Sequence, residues 1–320
     1  MAGIYVHIPF CKSRCVYCGF YSTTGKTDLQ ERYAKAVMRE LDLRAYYINN
    51  VRVHTVYIGG GTPSYMRTDL LTNIINAIKK KQGIEEGDIE EFTIECNPDD
   101  VTEEFAKTIV GMGVNRVSLG VQSFSDERLR FLRRRHNAAQ AAIAVQTLRR
   151  HGIRNISIDL MFGFPDETLS EWQEDIIRAI ELDVEHISAY SLMYEEGTPL
   201  YRMLAEGKVK ECDEALSTKM YDVLMEMNFT FPSSASTNSA HEPNRSSGFL
   251  ASARLKASLM WGDTSWMDGT GSFNTARRNT PRSSLSNGSC PAKRTYATTP
   301  KAYWSAAAPC GCAFHCSGDL

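Results

Sequence analysis

Three thiols lie within eight residues: Cys11, Cys15 and Cys18, with spacings of three and two intervening residues. Thiolates are soft anionic donors, and a trio spaced this way can wrap one corner of a cuboidal iron–sulfur cluster. Three protein ligands rather than four would leave one iron open to an outside ligand. A closed structural zinc site asks for four donors, and the fourth would have to be a distant residue such as His7. Plain reduced thiols are the remaining reading. Position 20, where a fourth Cys would stand, is Phe20. The spacing, the position just after a strand and the lack of a local fourth thiol favour the cluster.

Other residues that could do chemistry recur at regular places along the chain. Gly59-Gly60-Gly61-Thr62-Pro63 offers a turn where backbone groups can approach a ligand closely. No Lys-Ser/Thr follows it, so it is no phosphate-binding Walker loop. Glu95 closes an apolar run, and alone it reads equally as a solvated cap. Gln122 follows another such run. Arg134 lies in the basic string Arg133-Arg134-Arg135-His136, where Arg133 and Arg135 read as solvated faces. Asp159 sits inside an apolar strand, a costly place for an acid unless it is paired. Cys96 reads as a small buried residue rather than a ligand.

These residues need elements to position them. Strand signals cover 4–8, 53–58, 91–95, 116–120, 156–160 and 186–190. Helical periodicity covers 29–47, 69–81, 102–112, 126–133, 138–151 and 214–227. A further helix opens with Thr168-Leu169-Ser170-Glu171, a capping-box pattern. Six consecutive strand–helix units predict an α/β fold with a parallel sheet. With no obvious switch point they fit a partial (β/α)6 barrel better than a doubly wound sheet. In barrels chemistry collects at the carboxyl ends of strands. The thiols, the glycine turn, Glu95, Gln122 and Asp159 all fall at or just past such ends.

From Tyr5-Val6-His7-Ile8-Pro9-Phe10-Cys11 through Cys18, the sequence resembles the radical S-adenosylmethionine superfamily. More narrowly, it is similar to the group of oxygen-independent coproporphyrinogen III oxidases and their haem chaperone relatives. The resemblance runs from residue 3 to about 229. The oxidases continue Cys-x-Cys, whereas Cys18-Gly19-Phe20 looks like the chaperone branch of HemW type. The resemblance implies a [4Fe–4S] cluster on Cys11, Cys15 and Cys18. It also implies an S-adenosyl-L-methionine site on Tyr5, Gly60, Gly61, Thr62, Glu95, Gln122, Arg134 and Asp159, in which Arg134 clamps the cofactor carboxylate. One-electron cleavage of that cofactor to a 5′-deoxyadenosyl radical is the family's chemistry. Haem or a porphyrinogen is the implied partner, together with a reductant protein such as flavodoxin or ferredoxin and a haem-recipient protein. Two functions stay open: a haem-binding chaperone, and an enzyme that oxidatively decarboxylates coproporphyrinogen III.

Composition bounds the rest. The 320 residues carry a net charge of −2, which gives no electrostatic reason to expect nucleic acid. No apolar run is long enough for a transmembrane helix, and the N-terminus lacks the pattern of a secretory signal, so a cytoplasmic protein with reduced cysteines is expected. The averages hide a change near residue 230. The last 90 residues hold 4 acids against 9 bases and 16 serines, and no Ile or Val follows Val223. The expected division is therefore a core at 1–230 and an atypical tail at 231–320 with little regular structure, whose composition is that of a segment read in a shifted frame. After Phe229 the resembled family continues with a His-Asn-x-x-Tyr-Trp-like haem-binding segment, which is missing here. The late Cys310, Cys312, His315 and Cys316 form no credible metal site.

Overall fold

Strands whose alternate residues are apolar on one side and polar on the other must lie on a sheet with one greasy face and one wet one. The computed structural model describes residues 2–48, 51–85, 87–230, 256–261, 265–267 and 273–275. Its main elements are β1 (Ala2–Ile8), β2 (Phe10–Cys11), β3 (Thr23–Thr24), α1 (Leu29–Leu43), β4 (Val53–Gly60), α2 (Thr68–Gln82), β5 (Glu91–Cys96), α3 (Glu103–Gly111), β6 (Arg116–Gln122), α4 (Asp126–Phe131), α5 (Ala138–Arg150), β7 (Asn155–Phe162), α6 (Leu169–Glu181), β8 (His186–Ser191), α7 (Pro199–Ala205) and α8 (Glu214–Thr230). Strands β1, β4, β5, β6, β7 and β8 pair in that order, all parallel. The order follows the chain without a reversal, as the partial barrel requires and a doubly wound sheet forbids.

The outer face carries the core. Ile4, Val6, Ile8, Ile58, Ile94, Val117, Leu119, Ile158, Leu160 and Phe162 are buried there with the helices' apolar stripes. Among the described residues Trp172 of α6 is the largest fully buried side chain; it packs on Phe162 at 5.2 Å between ring centroids, and its Nε1–H donates to the Met220 carbonyl of α8 at 2.8 Å. The predicted capping box forms, with Thr168 and Glu171 bonding each other's backbone, and Asn137 with Gln140 caps α5 the same way.

Two features were not foreseen. Helix α7 has its cap in Thr198 and Pro199 at its first position, but it is too short for a periodic signal. The tail supplies β9 (Lys256–Trp261), parallel to β8, then antiparallel β10 (Ser265–Met267) and β11 (Phe273–Thr275), giving a main sheet of nine strands among the described residues. The lack of Ile and Val argued against strands, yet a ladder is built from backbone groups, and the open edge of β8 offers a template for one. The rest of 231–320 lies outside the described residues, and with it the expectations of a shifted frame, of little regular structure and of no metal site at the late cysteines.

Candidate functional site

The thiol loop leaves β1 and is fastened at both ends. Cys11 is buried on β2, which pairs with β3. Beside it, the Gly61 amide donates to the Ile8 carbonyl at 2.7 Å. A Cβ on Gly61 would stand 3.0 Å from Cys11 Sγ and from the Ile8 and Phe10 carbonyl oxygens, so a glycine is what lets the two turns meet. Thr62 Oγ1 donates to Cys11 Sγ at 3.4 Å. Val16, between the second and third thiols, is buried in a small apolar cluster with Leu132, Met161, Phe164, Leu192 and Leu200. Its amide donates to the Leu132 carbonyl and its carbonyl accepts from the Leu200 amide. The loop is thus held above the carboxyl ends of β6, β7 and β8.

Cys15 and Cys18 are half-buried. Arg134 Nη1 donates to Cys15 Sγ at 3.4 Å. Burial pushes the Cys18 thiol up, reinforced by Cys15 and Cys11 and opposed by the backbone N–H of Phe20. Among the described residues, no three His, Cys, Asp or Glu side chains gather around a point where one metal ion would sit. A cuboidal cluster places each thiolate on a different iron, so it does not ask for that convergence. His7 does not supply a fourth zinc donor, because both its ring nitrogens are engaged. The Tyr21 carbonyl can only accept, so Nε2 carries the proton at 2.9 Å, and Nδ1 then accepts from Tyr5 Oη at 3.0 Å. The hydroxyl of Tyr33 bonds the His7 carbonyl from behind.

Gly60 lies over the His7 ring. Its φ of +116° and the 2.7 Å that would separate a Cβ from that ring exclude other residues. The amide of Gly60 donates to Glu95 Oε2 at 2.9 Å, and Tyr57 Oη donates to Oε1 at 2.7 Å. Burial raises the Glu95 carboxyl, and these two bonds oppose the rise. Asp159 lies three residues before the end of β7, half-buried on the inner face, and accepts from Ser118 Oγ at 3.4 Å. Burial, with the Glu95 charge second, pushes it up to about 7. The two acids therefore share one wet wall, which favours a cationic or hydroxyl-bearing ligand between them.

Arg134 crosses from the α4–α5 connection to the thiol loop. Besides Cys15, its Nη2 donates to the Gly120 carbonyl at 2.6 Å and to Asn97 Oδ1, while Nε is buried without a partner. Gln122 has φ +71° at a register shift in β6, and its amide and the guanidinium both press against Gly120. His136 supports that bulge: its Nε2 donates to the Val121 carbonyl at 3.0 Å, and burial holds it neutral, down to about 3. Arg135 corrects the expectation of a solvated side chain. It is ion-paired with Asp99 at 2.8 Å and Asp100 at 2.7 Å, beside the turn that carries Asn97. Cys96 is buried, with its thiol raised well above the ordinary range by burial.

The structure thus gathers Gly60, Gly61, Thr62, Glu95, Gln122, Arg134 and the three cysteines towards the carboxyl end of one sheet, with Tyr5 and Asp159 deeper on its inner face. Sequence reasoning passed over Tyr57, Asn97 and Val16. Tyr57 could have been found as the polar alternate of an apolar strand. Val16 could have been found as an apolar residue stranded in a polar loop.

A profile of the radical SAM superfamily matches residues 5–179, and the chain belongs to that superfamily. It is 34% identical over 225 residues to the heme chaperone HemW of Bacillus subtilis, covering 70% of this chain and 59% of that one. It is 40% identical over 201 residues to the heme chaperone HemW of Haemophilus influenzae, covering 61% and 52%. The chain therefore spans between half and three-fifths of the length of these relatives. Among solved structures, the coproporphyrinogen III oxidase HemN of Escherichia coli, described as a radical SAM enzyme, superposes with a TM-score of 0.64 at 21% identity, covering 83% of this chain and 64% of that one; this likeness bears on the fold. Membership of the superfamily implies a [4Fe–4S] cluster and S-adenosylmethionine. No helix among the described residues is long and apolar enough to cross a membrane.

Proposed function

We propose that this chain is a haem chaperone that keeps a [4Fe–4S] cluster on Cys11, Cys15 and Cys18. One observation carries the cluster assignment: the three thiols lie in a loop pinned over the strand ends, with Thr62 and Arg134 donating to two of them. Donors aimed at sulfur suit thiolates that carry charge. Bound there, the cluster would supply an electron and an open iron to the sulfonium cofactor. Tyr5, Gly60, Gly61, Thr62, Glu95, Gln122, Arg134 and Asp159 form the S-adenosylmethionine site. Its glycines would let the ligand approach the backbone, its acids would face the amine and the ribose hydroxyls, and Arg134 would meet the carboxylate. The core domain at 1–230 carries this site.

Phe20 separates the chaperone from the oxidase reading. It stands where the oxidases have a further Cys, and it is 69% exposed beside the loop. The 34% and 40% identities to the heme chaperones support the same choice. Haem, a flavodoxin- or ferredoxin-like reductant and a haem-recipient protein are the partners this reading calls for, in the cytoplasm. After anaerobic reconstitution the full chain is expected to bind about four irons, and Cys15→Ser to lose them; full iron in that variant overturns the ligand assignment. Haem addition should shift the Soret band with saturation. Conversion of coproporphyrinogen III to protoporphyrinogen under the same conditions overturns the chaperone reading in favour of the oxidase.

A further inference from the structure

The three thiols receive unlike donors. Cys15 accepts from a guanidinium, Cys11 from the neutral Thr62 hydroxyl, and Cys18 from the backbone of Phe20. Reduction of a [4Fe–4S]2+ cluster to [4Fe–4S]+ adds one electron and no proton, so the added negative charge must be met by the surroundings. Hydrogen bonds to the ligand sulfurs are a main determinant of that potential. A fixed cation donating to one sulfur favours the reduced form by Coulomb attraction, and most strongly where water is scarce.

Arg134 is built to be such a fixed cation. Its Nη2 is tied to the Gly120 carbonyl and to Asn97, and Arg135 braces the Asn97 turn through Asp99 and Asp100. Its backbone amide donates to the Leu129 carbonyl at 2.8 Å. A residue needed only to meet a cofactor carboxylate would have no reason to spend Nη1 on a thiol. We propose that Arg134 sets the reduction potential of the cluster through its hydrogen bond to Cys15, beyond any part it takes in holding S-adenosylmethionine. This rests on the cluster assignment above, and concerns a positioning and potential-setting role within it.

The test is mediated potentiometry with dithionite as one-electron donor, followed by electron paramagnetic resonance. It is done on the full chain reconstituted anaerobically without S-adenosylmethionine, so that cofactor binding cannot contribute. Iron content is read first; a wild-type chain that holds no iron defeats the cluster assignment and this proposal with it, before any potential is measured. With iron retained, Arg134→Gln is expected to make reduction about tenfold harder, a shift of about 59 mV to more negative potential for one electron. Thr62→Val, which removes a neutral donor from another thiol, should shift it the same way by less. Arg134→Lys keeps the charge but loses the planar fork, and should fall between wild type and Arg134→Gln. A wild-type potential in Arg134→Gln at full iron content overturns the proposal. Should Arg134→Gln not fold, a wild-type potential in Arg134→Lys overturns it instead. Loss of iron from both variants overturns it too, since Arg134 would then be a support for the loop.

Discussion

The two faces of strand β7 differ as much as two proteins do. On one side Ile156, Ile158, Leu160 and Phe162 are wholly buried under helices. On the other, Ser157 and Asp159 face Ser118 of β6, with the Glu95 carboxyl of β5 beyond it. The whole sheet repeats the division: Tyr5, His7, Tyr57, Glu95 and Arg116 alternate with Ile4, Val6, Ile8, Ile58, Ile94 and Val117. The outer face supplies stability through apolar burial, which is large and has no fine directionality. The inner face supplies chemistry through hydrogen bonds and charges whose worth depends on tenths of an ångström. One pleat keeps the two tasks apart.

The sharpest way to break this division is from the outside. Trp172→Ala should cost about 3–5 kcal/mol, since it removes the largest buried side chain among the described residues and its bond to the Met220 carbonyl. Chemical denaturation measures it, and a loss below about 1 kcal/mol would mean that the helix face is not the source of stability.

At the boundary of the two faces, Gly61→Ala should cost about 1–3 kcal/mol by overpacking. Two of the three atoms a Cβ would meet at 3.0 Å are backbone oxygens and cannot swing away. The same variant should lose iron on reconstitution, because the third atom is Cys11 Sγ; normal iron and stability would show that the turns are looser than they look.

The smallest effect belongs to two acids, Asp159 on the inner face and Glu167 in the turn after β7. Asp159 titrates near 7 in the folded protein against 3.8 for a free carboxyl, and Glu167, raised chiefly by burial, near 7 against 4.5. The folded state then binds more protons than the unfolded one between about pH 4 and 7, so stability falls as pH rises through that window and levels off above it. Asp159→Asn should flatten this fall by on the order of 1 kcal/mol in the ligand-free protein, solvent at the open inner face screening the rest of the shift. Urea midpoints at pH 4.5 and 8 report it, and an unchanged slope would mean that Asp159 is already ionised at low pH.

The six main strands and their parallel order were legible because each strand has its own apolar alternation and each helix its own 3.6 period. The thiol trio was legible because a chelating motif is written in adjacent residues. Arg135 was misread for the opposite reason: its partners Asp99 and Asp100 are 36 and 35 residues away, and nothing local distinguishes a paired arginine from a solvated one. The short strands of the tail escaped because the pairing of β9 with β8, and of β10 and β11 in turn beyond it, is a matter of backbone and edge, not of side-chain type.

By itself, then, the chain's order of residues determined which groups could grip iron, which runs would pleat or coil, and which face of each would turn from water. These follow from spacing and periodicity within a few neighbours. Only the assembled sheet decided that Arg134 would reach Cys15 across 119 residues, that Tyr57 would bond Glu95 across 38, and that Val16 would find an apolar niche. Contacts of that span cost chain entropy to form and are secured only when the packed layers hold both ends in place.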